Sequence, residues 1–90
     1  MSLSKLAAEI GELVERKNKN YGNSFGKTAA ILRILYPKGV SVEQYFYLGL
    51  VIRMLDKISR ISQGVLKDSC KDISGYGILG EYARKKGIDK

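Results

Sequence analysis

Histidine is absent from the 90 residues, and cysteine occurs once, as Cys70. A single thiol excludes an internal disulfide framework and any zinc site built on several cysteines. Without imidazole there is no His-ligated metal and no His-based acid–base pair. A metal here would be a hard cation such as Mg²⁺, held by carboxylate oxygens. Acidic residues are scarce too, nine against sixteen Lys plus Arg, so the net charge is +7. No apolar run approaches the ~20 residues that a membrane span needs. The first residues, Met1-Ser-Leu-Ser-Lys5, run straight into an amphipathic pattern with Glu9 and Glu12 instead of a secretory signal. A soluble, cytoplasmic protein without a membrane partner is expected.

What is present is an ordinary apolar share of 44%, enough for a folded chain. A domain this short buries only about 60–65% of its unfolded surface. Its core is thin, and self-association is the natural remedy. The positive balance suits an anionic partner, although part of it is the Arg84-Lys85-Lys86 run near the end.

The apolar spacing is helical throughout, so the fold class is all-α with about four helices. Leu3, Leu6, Ala7, Ile10, Leu13 and Val14 recur at three- and four-residue steps, giving a helix over about 3–17. The stretch Asn18-Lys-Asn-Tyr21-Gly22-Asn breaks it. A second helix covers about 24–36 and stops at Pro37-Lys-Gly39. Ser41-x-x-Gln44 is a capping-box pattern and opens the longest helix, about 41–62, with Gly64 as its stop. Asp68 or Ser69 caps a last helix over about 68–86. Residues 1–84 read as one helical domain and 85–90 as a basic flexible tail.

Two helices carry most of the information. Apolar residues cover nearly the whole circumference of the third, from Tyr45 to Ile61. Such a helix is buried on all sides. Ninety residues hardly suffice to surround it, so another subunit is expected to complete the bundle. The last helix holds Gly75, Gly77 and Gly80, each costing about 1 kcal/mol against Ala in a helix interior. Their presence suggests close approach by a neighbouring helix or a ligand.

Polar side chains suggest a site. Arg53, Asp56, Lys57 and Arg60 fall at i, i+3, i+4 and i+7 on the third helix, with Phe46 and Gly49 above them. Arg supplies a planar fork and Lys a mobile point charge for phosphate oxygens, and Asp56 orients them. The plain alternative is a solvated face laced with ion pairs. Asp68, Asp72 and Tyr76 step by four on the last helix. Two carboxylates one turn apart can share Mg²⁺ or clamp the basic stripe; the plain alternative is a helix start that favours acids. Arg16, Lys17, Lys19, Tyr21 and Lys27 crowd the first turn region. There, Gly22-x-x-x-Gly26-Lys27-Thr28 is one residue short of a P-loop and follows no strand. Glu9-x-x-Glu12 is explained by Lys5–Glu9 and Glu12–Arg16 pairs on an exposed ladder. Cys70 is expected to be a small core residue. No nucleophile–base arrangement stands out, so no catalytic residue is assigned.

Three segments in order, Lys17-Asn-Lys-Asn-Tyr21-Gly22-Asn-Ser24, Arg53-x-x-Asp56-Lys57-x-x-Arg60-Ile61 and Lys67-Asp68-Ser-x-x-Asp72-Ile-x-Gly75-Tyr76, resemble a known series. They are similar to the small phage-encoded, MazG-like helical proteins described as nucleotide-modification-associated. The match spans about residues 16–80. The resemblance implies a MazG-like helical bundle and a nucleotide ligand. In the wider group of all-α nucleotide pyrophosphatases, it also implies hydrolysis of nucleoside triphosphates with Mg²⁺ held by E-x-x-E and E-x-x-D. This chain has Ser69 three residues before Asp72, where that pattern has Glu.

The leading expectation is therefore a homo-oligomer that binds a phosphate-bearing small nucleotide without turnover and without a cofactor. Lys17, Arg53, Lys57 and Arg60 would meet phosphates. Tyr21, Phe46 or Tyr76 would stack on a base, and Asp56, Asp68 and Asp72 would orient the basic groups or bond base or sugar. In the phage setting that the resemblance implies, such a binder sequesters a cyclic or other nucleotide used as an immune signal. The alternative is a Mg²⁺-dependent nucleoside triphosphate pyrophosphohydrolase. Nucleic-acid binding is the third class. It is set aside because no helix presents a basic recognition face.

Overall fold

The computed structural model describes residues 1–20 and 24–90, without the side chains of Asn20 and Ser24. Tyr21 lies outside the described residues. The chain is all-α. Four helices follow one another: α1 (Leu3–Asn20), α2 (Ser24–Leu35), α3 (Tyr45–Ser62) and α4 (Ser69–Lys86), with a short 3₁₀ turn at Val42–Gln44 before α3. None of them is long and apolar enough to cross a membrane.

The helix limits follow from local chemistry. The backbone N–H of Ser41 donates to Gln44 Oε1 at 2.9 Å, the glutamine half of the capping box that the sequence suggests. At the far end Gly64 adopts φ +81°. Val65 N–H then reaches Arg60 O at 2.9 Å and Gly64 N–H reaches Ile61 O at 3.0 Å. These crossed bonds are a Schellman stop, which satisfies carbonyls that the helix leaves unpaired. The same pair of bonds recurs after α4, from Ile88 to Ala83 and from Gly87 to Arg84.

α3 is the central rod. It packs along α4 on one side and against α2 on another. The α3–α4 contact is close at Gly80, where an added Cβ would stand 2.8 Å from Leu50 Cδ2. Gly75 and Gly77, expected to serve the same purpose, have open space around them. Ala83, 3% exposed, is the one hydrophobic residue buried outright among those described. Ser69 is buried deeper still, its hydroxyl donating to Val65 O at 2.8 Å. α3 is not enclosed on all sides: Ile52 and Ile58 remain exposed. Helices α2 and α4 cover only part of its circumference.

Three expectations are corrected. Cys70 is exposed and so not a core residue, because the face of α4 turned to α3 is the one bearing Ser69, Gly80 and Ala83. The ion-pair ladder expected on α1 is not made among the described residues, whose pairs join Lys57–Asp72, Arg60–Asp56 and Arg84–Glu81. Residues 85–90 are not a free tail. α4 runs through Lys86, and Tyr47 Oη donates to Asp89 Oδ2 at 2.6 Å, tying the chain end back onto α3.

Candidate functional site

The stripe Arg53–Asp56–Lys57–Arg60 is not a uniformly solvated face: Asp56, Lys57 and Arg60 are half-buried, while Arg53 is exposed. Its first three members lie on the floor of a groove whose walls are α2 and α4. Phe25 and Thr28 from α2, Ile52, Arg53, Asp56 and Lys57 from α3, and Tyr76 from α4 enclose a cleft of about 310 Å³. A second cleft of about 480 Å³ lies on the other side of Tyr76 along the α3–α4 seam. Its lining includes Phe46, Leu50, Leu79 and Tyr82, with Ile88 from the chain end. Arg53 and Tyr76 border both clefts. The two adjoin as one trough, with the charged side chains Arg53, Asp56 and Lys57 set among apolar ones at the α2 end and an aromatic and apolar lining at the other.

Within the polar end, Lys57 Nζ meets Asp72 Oδ2 at 2.9 Å, with the lysine side chain only 15% exposed. The basic stripe and the acidic face of the last helix thus meet inside one chain. Asp56 pairs with Arg60 Nε at 3.3 Å, one turn further along α3. Arg53 has no acidic or hydrogen-bonding partner among the described residues. Its five donors stand at the junction of the clefts. The site is therefore graded: one guanidinium without a protein partner, one ammonium shared with a carboxylate, and one pair already closed.

Other expected residues fall elsewhere. Asp68 precedes α4 in the left-handed region, φ +64°, with no capping bond from its side chain. It is exposed and lines none of these clefts. The expected one-face stack of Asp68, Asp72 and Tyr76 begins only at Asp72. Arg60 is half-buried beside Asp56 but also lines none of the clefts. Lys17 is on α1, which among the described residues packs along none of the other helices, and it lines none of the clefts described.

The structure also adds residues that sequence reasoning passed over. Phe25 and Thr28 complete the α2 wall, and Leu79 and Tyr82 extend the aromatic wall of α4. The three-residue steps Tyr76–Leu79–Tyr82 carry that second signal, since such steps share a helix face. Nothing local announces Ile88, which reaches its cleft through the Schellman turn.

A Mg²⁺ site does not fit these residues. Among the described residues no three of His, Cys, Asp and Glu gather closely enough to hold a metal ion. Asp56 and Asp72 each already have a cationic partner, and Glu9 and Glu12 sit on α1.

No protein-family model matches the chain. No curated protein and no solved structure matches it significantly.

Proposed function

We propose that the protein binds a phosphate-bearing small nucleotide in the trough between α2, α3 and α4, and that it does so without turnover. The observation that carries this reading is Arg53, a guanidinium with no acidic partner among the described residues, set where a cleft bearing Lys57 and Asp56 runs into an aromatic one. A nucleotide has the matching polarity. Its phosphate oxygens suit the planar fork of Arg53, with Lys57 as a second charge. Its base suits the faces of Tyr76, Phe46 and Tyr82, which stack without regard to base identity. Among the described residues, Asp56 and Asp72 are already paired with cations and no carboxylate cluster is poised for a water-activating cation, which favours binding over hydrolysis. The similarity of three ordered segments to MazG-like phage proteins supports the same ligand class and suggests a role in sequestering a nucleotide signal. The working form is proposed to be a homo-oligomer, a reading that the exposed flank of α3 supports.

Calorimetry with mono-, tri- and cyclic nucleotides tests the reading. At least one is expected to bind at micromolar protein, and Arg53→Ala to weaken it by about tenfold or more. Ligand recovered intact after heat denaturation in the presence of Mg²⁺ is expected. Absence of heat across the panel would refute binding, and release of pyrophosphate would refute the lack of turnover.

A further inference from the structure

Helix α1 is amphipathic, and among the described residues it packs along no other helix. Its apolar seam, Leu3, Leu6, Ile10, Leu13 and Val14, is exposed along its whole length, from 37% at Leu6 to 86% at Leu3. Helices in proteins gain most of their stability by packing an amphipathic face. On α3, the side turned away from α4 has the complementary gap. There Val51 and Leu55 are only half-buried and Ile58 is 50% exposed. Both helices are 18 residues long, so one matches the other from end to end.

The surface area says how much is missing. A compact monomer of 10.0 kDa exposes about 5,200 Å². This chain exposes 7145 Å², an excess of about 1,900 Å² over that expectation. Its radius of gyration is 16.4 Å, against about 12 Å for a compact domain of this length. Two chains that each hid their excess would bury about 3,800 Å² in all, inside the range of obligate homodimers.

We infer that α1 is an arm exchanged between copies: the apolar seam of α1 covers the uncovered side of α3 on a second copy of this chain, and the second copy returns the contact. The inference rests on the proposed homo-oligomer and names the segment that builds it. Reciprocal exchange is closed and self-complementary, so it leaves no α1 seam bare. It also gives Lys17 a place. Lys17 takes the next position of the three-and-four spacing after Leu13, so burial of the seam carries its stem into the interface with the ammonium reaching past the end. The partner copy then contributes a cation that the chain's own trough lacks.

Sedimentation and hydrogen exchange on the full chain decide this. At micromolar protein the expected mass is a multiple of 10.0 kDa. Amides of α1 and α3 are expected to be protected together and to lose protection together on dilution. Ile10→Lys places a charge on the seam and is expected to weaken association by about a hundredfold. Glu12→Lys, on the opposite face, is expected to change it by less than about threefold. An oligomer whose α1 amides exchange freely would overturn the exchanged arm and leave the homo-oligomer standing. A mass of 10.0 kDa would overturn both. Either result leaves ligand binding to be judged by calorimetry.

Discussion

Asp72→Asn perturbs the ion pair that closes the α3–α4 groove. The contact is 2.9 Å long, with Lys57 15% and Asp72 37% exposed. At that separation the gross attraction is about 1.4 kcal/mol in water and about 6 kcal/mol at an effective dielectric of 20. Desolvation of both ions offsets much of it, because Lys57 is largely removed from solvent while Asp72 is not. We expect Asp72→Asn to cost about 1–3 kcal/mol, mainly because it strands a mostly buried ammonium. We expect Lys57→Met to cost less, about 0.5–1.5 kcal/mol, because the carboxylate left behind still reaches water. The double variant should recover part of the loss, giving a coupling of about 1–2 kcal/mol.

Urea unfolding followed by circular dichroism measures all four proteins, at a single protomer concentration because stability and assembly are linked. A coupling below about 0.3 kcal/mol would refute the reasoning, because it would make the pair an ordinary solvated contact. The same variant separates the two functional readings. Asp72→Asn frees Lys57 for phosphate and should tighten nucleotide binding by about three- to tenfold. A carboxylate needed for Mg²⁺ would instead leave affinity unimproved and abolish pyrophosphate release.

Two further expectations concern the ends of α4 and its seam with α3. Tyr47 and Asp89 share a hydrogen bond that raises the tyrosine above its ordinary 10.0 and lowers the carboxyl below its ordinary 3.8. The Asp89 contribution is present above the ordinary carboxyl range and is lost as pH falls through the lowered value. The Tyr47 contribution is present below pH 10 and is lost as pH rises through the raised value. The strap should therefore stay docked across the intervening range. In Tyr47→Phe, the Asp89 carboxyl followed by nuclear magnetic resonance should rise toward its ordinary value, since the Tyr47 bond is the largest of the causes that lower it; an unchanged titration would show that the bond does not form. On α4, Gly77→Ala meets open space and should stabilise the protein by about 0.5–1 kcal/mol through helix propensity. Gly80→Ala meets Leu50 Cδ2 at 2.8 Å. Displacing that side chain should cancel the gain, so the two variants should differ by about 1 kcal/mol or more in thermal unfolding. Equal effects would mean that the Leu50 contact is loose.

The four helices were legible in the sequence because each limit has a local cause. Gln44 reaching back to Ser41, Gly64 in the left-handed region and the Pro37–Gly39 break all act within a few residues. The stripe on α3 was legible as a row for the same reason. Its setting was not. Periodicity gives the angle of Lys57 about its helix axis, but not whether that angle points at water or at Asp72, which depends on how α4 crosses α3. Asp68 shows the opposite failure. Spacing by four puts it in line with Asp72 only if the helix already includes it, and a positive φ at that residue takes it out of the row. The docking of Asp89 on Tyr47 joins residues 42 apart, and no short-range pattern reports such a contact.

The cleft and the bare seam of α1 have one origin. A 90-residue chain divided into three helices of 18 residues and one of 12 has too few elements to surround a central rod. Two of them, α2 and α4, flank α3 and leave a groove between them, and that groove is where Arg53 stands. If α1 folded back on its own chain, it would lie against the rest of α3 and the monomer would be compact. The surface and radius are instead those of an extended chain with its α1 seam exposed, as the proposed exchange expects. Disrupting the seam should then reach the trough as well, because α3 forms the floor of one and the docking surface of the other. Ile10→Lys should lower nucleotide affinity although residue 10 lines none of the clefts described on its own chain. An Ile10→Lys protein that is monomeric, folded and undiminished in binding would separate assembly from the site and confine ligand recognition to α2, α3 and α4 of one chain.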